Sequence, residues 1–196
     1  MITGVVLAAG TSSRLGRPKQ LLDLGGKPVL QHVVDAALAG GLDEVVVVVG
    51  HAAAAVEAAL LHQEQVRFVH NPGFGEGQST SLRAGLRAAA PDAEAAVILL
   101  GDQPQIRPDA IRAVAEAWRQ GAGPVIQACY RGLDAHPTLF DRSLWPELER
   151  LTGDEGARSL LATLPTKSRV DVGGLPPADI DTSDDYERAR EAFETH

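Results

Sequence analysis

Five consecutive valines, Val45–Val49, lie between a stretch of helical periodicity and an alanine-rich one. A strand that is apolar at every position must be covered on both faces, and helix-covered parallel sheets are where such strands occur. The pattern recurs. Ile2–Leu7, Val66–Val69 and Ala95–Leu100 are short apolar runs that stop at polar or glycine-rich loops. Helical segments fill the intervals: one opened by Pro28 and closed at Gly40–Gly41, one over 52–62, one over 79–89, and one opened by Pro108. In the last of these, Ile111, Val114, Ala115 and Trp118 form one apolar stripe. Further strands are predicted near 124–130, 137–140 and 168–172, with short helices near 143–150 and 156–163 and a final helix after an acidic turn at 179–185. In that turn Thr182 and Asp185 have capping-box spacing. Alternating strands and helices predict an α/β fold: a doubly wound, mostly parallel central sheet with helices on both faces and a more irregular second half.

Composition agrees with that core and narrows what the chain does. Aromatic residues make up only 4% of 196 positions, so the interior is built from Val, Leu, Ile and Ala. At this length folding buries roughly 70% of the unfolded chain's surface, enough for one domain spanning 1–196 without staples. Eighteen basic residues stand against 26 acidic ones, for a net charge of −8. A general nucleic-acid binder or a polybasic membrane patch needs the opposite balance, so neither partner is expected. One cysteine, Cys129, excludes an intrachain disulfide or a zinc ribbon. Apolar runs reach about six residues, where about 20 are needed to span a bilayer. With no signal peptide visible, a soluble cytoplasmic protein is expected.

Ligands of open α/β sheets bind beyond the carboxyl ends of the strands. That rule selects four segments. The first is Leu7-Ala8-Ala9-Gly10-Thr11-Ser12-Ser13-Arg14-Leu15-Gly16-Arg17-Pro18-Lys19. Its small residues let backbone N–H groups approach an anion, and it carries three cations before the first acid, Asp23. A polyphosphate suits it, although it lacks the Walker spacing. It also exceeds the ordinary two to six residues (roughly) of a βα connection. The second, Gly73-Phe74-Gly75-Glu76-Gly77-Gln78-Ser79, has glycines at i, i+2 and i+4, which is not the dinucleotide fingerprint. Ser79 and Ser81 either cap the next helix or meet a ligand. The third is Gly101-Asp102-Gln103-Pro104, where Asp102 sits at a strand's carboxyl end, well placed for a hard cation. Asp181, in the fourth segment, is its natural companion, since two carboxylates are the usual protein share of a Mg2+ site completed by phosphates and water. Asp179, Asp184 and Asp185 read instead as a solvated helix start. His136 precedes Pro137, and Gly153-Asp154-Glu155-Gly156-Ala157-Arg158 opens a helix whose N-terminus would receive an anion with Arg158 assisting.

Taken in order, these segments and His136-Pro137-Thr138-Leu139-Phe140 resemble the molybdenum cofactor nucleotidyltransferases, in particular their cytidylyltransferase branch. The resemblance covers nearly the whole chain and implies a nucleotide-diphospho-sugar transferase-like fold. It implies that Leu7, Ala8, Ala9, Gly10 and Ser12 wrap the nucleotide, with Lys19 and Arg14 on phosphate oxygens as catalytic cations. Gly77, Ser79 and Ser81 would meet base and ribose. Asp102, also catalytic, and Asp181 would hold Mg2+. His136, Asp154 and Arg158 would face a phosphorylated pterin acceptor. Ala8-Ala9-Gly10 goes with CTP, where the guanylyl branch has Leu-Ala-Gly-Gly. The product would pass to a molybdenum hydroxylase through a transient contact. One position departs from the family: a glycine commonly precedes the His-Pro pair, and here Ala135 does. Two rival activities stand beside this one, a cytidylyltransferase for another phosphorylated acceptor and an NAD(P)H-dependent oxidoreductase on the same fold. A third reading is a carrier of the mature cofactor with no chemistry of its own.

Overall fold

The computed structural model describes residues 1–12, 15–154, 156–164 and 167–194. Its centre is a seven-stranded sheet in the order β5-β4-β1-β6-β8-β7-β9. These strands are β1 (Ile2–Leu7), β4 (Glu44–Val49), β5 (Val66–His70), β6 (Ala95–Leu100), β7 (Val125–Tyr130), β8 (Leu133–Asp141) and β9 (Ser168–Asp171). A separate two-residue ribbon pairs β2 (Asp23–Leu24) with β3 (Lys27–Pro28). Helices α1 (Val29–Ala39), α2 (Ala53–Ala59), α3 (Gln78–Ala88) and α4 (Pro108–Arg119) connect the strands, and α5 (Trp145–Glu149), α6 (Arg158–Thr163) and α7 (Ser183–Glu194) follow.

The valine run forms β4, buried at every position. Its side chains divide between the two faces with the period of two that a strand imposes. Val45, Val47 and Val49 join Val6, Leu30, Val33, Ile111 and Val114 under α1 and α4, whereas Val48 joins Val5, Leu82, Leu86 and Trp145 under α3 and α5. A third cluster packs α7 onto the β2–β3 ribbon through Leu22, Leu24, Val29, Ile180 and Ala189.

The chain runs from β1 out to β4 and β5, then returns to place β6 on the other side of β1. The strand order therefore reverses between β1 and β6, and the crevice outside their carboxyl ends is the expected ligand site of a doubly wound sheet.

Three of the predicted elements differ from the sequence reading, and the β2–β3 ribbon was not predicted. First, β8 begins at Leu133, not near 137, and lies antiparallel between β6 and β7. The cause is a two-residue hairpin turn at Arg131–Gly132, both at positive φ (49° and 90°), the geometry that matches strand twist. Second, α2 stops at Ala59, where the alanine-rich pattern suggested 62. Third, α6 spans six residues starting at Arg158, so Gly153, Asp154, Gly156 and Ala157 lie before the helix and only Arg158 belongs to its first turn. A helix that short has little dipole to offer an anion. No helix among the described residues is long and apolar enough to cross a membrane.

Candidate functional site

The loop after β1 leaves the sheet held by both neighbours: Ala8 N–H donates to Val48 O at 2.9 Å and Gly101 N–H to Leu7 O at 2.9 Å. Buried Gln20 holds it from beneath, its Nε2 donating to Ala8 O at 2.9 Å and Gly10 O at 3.5 Å. Ser12 adopts a left-handed φ of 53°, and its Oγ accepts the Lys19 N–H at 3.0 Å. Among the described residues, the exposed N–H groups of Gly10 and Thr11 have no protein acceptor. Arg14 lies outside the described residues.

That loop geometry puts Lys19 at the base of the crevice, with its Nζ donating to Asp102 Oδ2 at 2.5 Å and Asp181 Oδ1 at 2.8 Å. Lys19 and Asp102 are mostly buried, with 14% and 19% of their side chains exposed, whereas Asp181 faces solvent. Burial works against the Lys19 ammonium, but attraction to Asp102 and Asp181 outweighs it and its pKa rises. Burial also raises the pKa of Asp102, and Lys19 offsets only part of that. Residues 83 and 162 positions from Lys19 meet here because Ile180 N–H donates to Asp102 O at 3.1 Å, which docks the C-terminal segment on the end of β6. Asp185 Oδ2 then accepts N–H groups from Asp181 (3.1 Å) and Thr182 (2.8 Å), while Asp185 N–H donates to Thr182 Oγ1 at 3.2 Å. The capping box is as its spacing predicts.

Asp179 does not belong to that solvated helix start. It lies ahead of α7, accepts Gln103 Nε2 at 2.8 Å and lines a cleft. Nor do Ser79 and Ser81 cap α3. The N-cap is Gly77, and its place depends on having no side chain: φ is 115°, and a Cβ would lie 2.4 Å from the Gly153 carbonyl carbon. Thr80 Oγ1 donates to Gly77 O, and Ser81 Oγ accepts from Asn71 Nδ2 at 3.0 Å. Ser79 N–H donates to Gly153 O at 3.1 Å, so the 153 segment packs directly on the start of α3.

Two clefts open at the carboxyl ends of β1 and β6. The smaller, about 350 Å³, is lined by Ala9, Gly10, Thr11, Lys19, Gln20 and Ser81 among others. The larger, about 750 Å³, is lined by His136, Arg158, Gln103, Gln127, Asp134 and Thr138 among others. Leu7, Gln78, Leu100, Asp102 and Asp154 line both. The sequence-predicted residues thus divide. Leu7, Ala9, Gly10, Lys19, Ser81, Asp102 and Asp154 face the smaller cleft, and His136 and Arg158 the larger. Ala8, Ser12, Gly77, Ser79 and Asp181 line neither of these two clefts; Ala8 and Ser79 are buried. His136 Nδ1 lies 3.2 Å from Ile98 O. A carbonyl only accepts, so Nδ1 carries the proton and Nε2 is an acceptor. Burial lowers the His136 pKa, and the bond to Ile98 offsets part of that.

Gln78, Gln103, Gln127, Thr138, Asp134 and Lys167 reach the clefts without having been singled out from sequence. Gln103 adjoins Asp102, which was a usable signal. Thr138 lies in the His136–Phe140 motif, whereas Asp134 and Lys167 reach the cleft only because β8 and the residues before β9 are brought beside β6 and β7.

A chain of this length with two joined clefts at a switch point admits many chemistries, and likeness to known proteins narrows them. Residues 4–170 match the family described as the MobA-like NTP transferase domain. The chain belongs to that family. It is a nucleotidyltransferase, with the fold of the nucleotide-diphospho-sugar transferases. This MobA-like chain is 33% identical to the purine catabolism protein PucB of Bacillus subtilis, over 98% of its own length and 97% of PucB. It is 35% identical to the nicotine blue oxidoreductase of Paenarthrobacter nicotinovorans, covering 84% and 83% of the two chains. Among solved structures, Rv0371c of Mycobacterium tuberculosis superposes with a TM-score of 0.88 at 38% identity and 97% coverage of both chains. A second structure of Rv0371c is a complex with manganese, at TM-score 0.82 and 36% identity, covering 97% of this chain and 98% of that one.

A divalent cation fits the residues of this MobA-like site. Two carboxylate oxygens already converge on one cationic nitrogen, and hard oxygen donors from two side chains are what Mg2+ or Mn2+ takes when phosphates supply the rest. Among the described residues no group of three or more His, Cys, Asp or Glu side chains could hold a metal ion. The protein's share of such a site is therefore small.

Proposed function

We propose that this MobA-like nucleotidyltransferase joins CMP from CTP to the terminal phosphate of a molybdopterin-type pterin cofactor, with Mg2+, and releases pyrophosphate. The observation that carries the reading is the junction of the two clefts at Asp102, next to Lys19. A nucleotide lying along Gly10, Thr11 and Lys19 presents its α-phosphorus at that junction, and an acceptor lying along His136 and Arg158 brings its phosphate there from the other side. An acceptor phosphate oxygen attacks the α-phosphorus in line; the bond to the β-phosphate oxygen breaks and pyrophosphate carries the electron pair away. The nucleophile is ionised at neutral pH, so no general base is needed. Catalysis is positioning and charge neutralisation. The N–H groups of Gly10 and Thr11 and the Lys19 ammonium bind phosphate oxygens, and Arg14 joins them. Asp102 and Asp181 hold the divalent cation, which when bound neutralises triphosphate charge. Ala8-Ala9-Gly10 favours CTP, and His136, Asp154 and Arg158 orient the acceptor. Delivery of the product to a molybdenum hydroxylase completes the reading.

Pyrophosphate release with Mg2+ and molybdenum-loaded molybdopterin, compared across CTP, GTP, ATP and UTP, tests it. Release with CTP alone, and only with acceptor, is expected. Release with GTP would keep the reaction and overturn the Ala8-Ala9-Gly10 assignment, and release only with another phosphorylated acceptor would move the chain to a different substrate. The likeness to nicotine blue oxidoreductase favours one second reading, NAD(P)H-dependent reduction on this fold. Acceptor-dependent loss of reduced nicotinamide absorbance, with no pyrophosphate released, would establish it instead.

A further inference from the structure

The two carboxylate oxygens best placed for a divalent cation are already in contact with a cation of the chain itself. Lys19 Nζ lies 2.5 Å from Asp102 Oδ2 and 2.8 Å from Asp181 Oδ1. A divalent ion coming to those oxygens would meet the ammonium at contact distance, and repulsion between the two cations opposes its entry while the nitrogen stays. The carboxylates do not owe their spacing to Lys19. Ile180 N–H donates to Asp102 O at 3.1 Å, and Asp185 Oδ2 accepts the N–H groups of Asp181 and Thr182, so backbone bonds seat both carriers.

Lys19 itself is built to change partner. Its backbone N–H is fixed to Ser12 Oγ at 3.0 Å, and beyond that the ammonium rides on a flexible four-carbon stem. An alternative partner would lie in the same cleft. Gly10, Thr11, Lys19 and Asp102 line one cavity of about 350 Å³, and the N–H groups of Gly10 and Thr11 have no protein acceptor among the described residues. A triphosphate resting on those N–H groups offers its oxygens to the Lys19 ammonium. The charges favour such an exchange. Two carboxylates with one ammonium carry a net charge of minus one, whereas with a divalent cation they are neutral, and the triphosphate then supplies the negative charge that the ammonium meets.

We propose that Lys19 is the resident counter-ion of Asp102 and Asp181 in the free protein, and yields them to a divalent cation only when a nucleoside triphosphate takes up its ammonium. Metal and nucleotide then bind as a coupled pair, each raising the other's affinity by the same factor. The nucleotide-free chain is kept from loading with metal alone. The inference rests on Asp102 and Asp181 as the metal's carboxylates, and not on the choice of CTP or of the acceptor.

The test is Mn2+ titration of the full chain by electron paramagnetic resonance, with no nucleotide and no acceptor present. Wild type should bind Mn2+ weakly. Lys19→Met, which keeps the stem and removes the charge, should bind it about tenfold more tightly, within the range of ordinary coupling between two ligands. Lys19→Gln should show the same gain, and adding Asp102→Asn to Lys19→Met should abolish it. Arg17→Met removes the same charge from an exposed position of the same loop. It should leave Mn2+ affinity within about twofold, since solvent screens such a charge. Lys19 variants that bind Mn2+ no more tightly than wild type would overturn the inference, even where CTP brings Mn2+ onto Asp102 in the wild-type chain. An equal gain in Arg17→Met would overturn it too, as a general effect of charge. A Lys19-dependent gain that is lost with Asp102, in a chain that releases no pyrophosphate from any nucleotide, would support it while removing the transfer reading.

Discussion

Lys19, Asp102 and Asp181 form an ion triplet that leans on one nitrogen, so each member's loss changes the charge seen by the other two. Asp102→Asn keeps the shape and removes the charge. Turnover in that variant should fall by about 10²–10³-fold or more, the scale seen when a preorganised electrostatic group is lost, with acceptor binding much less affected. Near-normal Mg2+-dependent turnover would remove Asp102 from the metal site. His136 gives a prediction in pH. Burial holds its pKa below the ordinary 6.5, outweighing the opposite pull of the bond to Ile98 O, so the unfolded chain takes up the proton first. Stability should then fall as pH drops below 6.5 and show no contribution from this residue above it. Denaturation midpoints against pH for wild type and His136→Gln check this; the variant's curve should be flatter over that range. Among single residues, Lys19 and Asp102 were legible because cations in a glycine loop and a carboxylate at a strand end are local signals. Gln127 and Asp134 were not, since their place beside the larger cleft is set by which strands pair.

The element that orders the site is α3, and what orders α3 is Gly77. Its φ of 115° and ψ of 165° are essentially closed to other residues, and a Cβ would meet the backbone of Gly153 at 2.4 Å. Gly77→Ala should lower the melting temperature by about 5–10 °C, from about 2–3 kcal/mol of strain and displacement. Because Gly153 carries the segment ahead of Arg158, acceptor KM should rise in step; a variant of wild-type stability and KM would show that the 153 segment docks by other means. The strands were readable as elements because burial on both faces leaves continuous apolar runs. Their neighbours were less so. The sequence predicts a strand only near 137–140, and the antiparallel seat of the longer β8 between β6 and β7 brings Asp134, Ala135, His136 and Thr138 to the cleft.

Across the whole molecule, the C-terminal segment completes a site that the rest of the sheet begins. The family match ends at residue 170, and Asp181, Ile180 and α7 all lie beyond it. Ile180 is 2% exposed and sits in the cluster of Leu22, Leu24, Val29 and Ala189, while its N–H holds the Asp102 carbonyl. Ile180→Ala should cost about 2–5 kcal/mol of stability through the cavity it leaves. By loosening Asp181 it should also weaken Mn2+ binding in the presence of CTP. Titration by electron paramagnetic resonance reads the second effect, and unchanged Mn2+ affinity in a destabilised variant would show that Asp181 is held in place without Ile180. The charge balance works at this scale as well: a chain of net −8 that takes polyanionic substrates needs its local cations concentrated, as Arg14, Arg17 and Lys19 are in one loop.

The alternation of the main strands and helices, the aliphatic core and the long small-residue loop after β1 were determined by the sequence alone, because periodicity, burial of continuous apolar runs and glycine punctuation are properties of neighbouring residues. The meeting of Lys19 with Asp102 and Asp181 and the sharing of Asp102 between two clefts were decided only by tertiary structure. Those features depend on which strand ends the sheet order brings together across up to 162 positions of chain, and no local pattern records that.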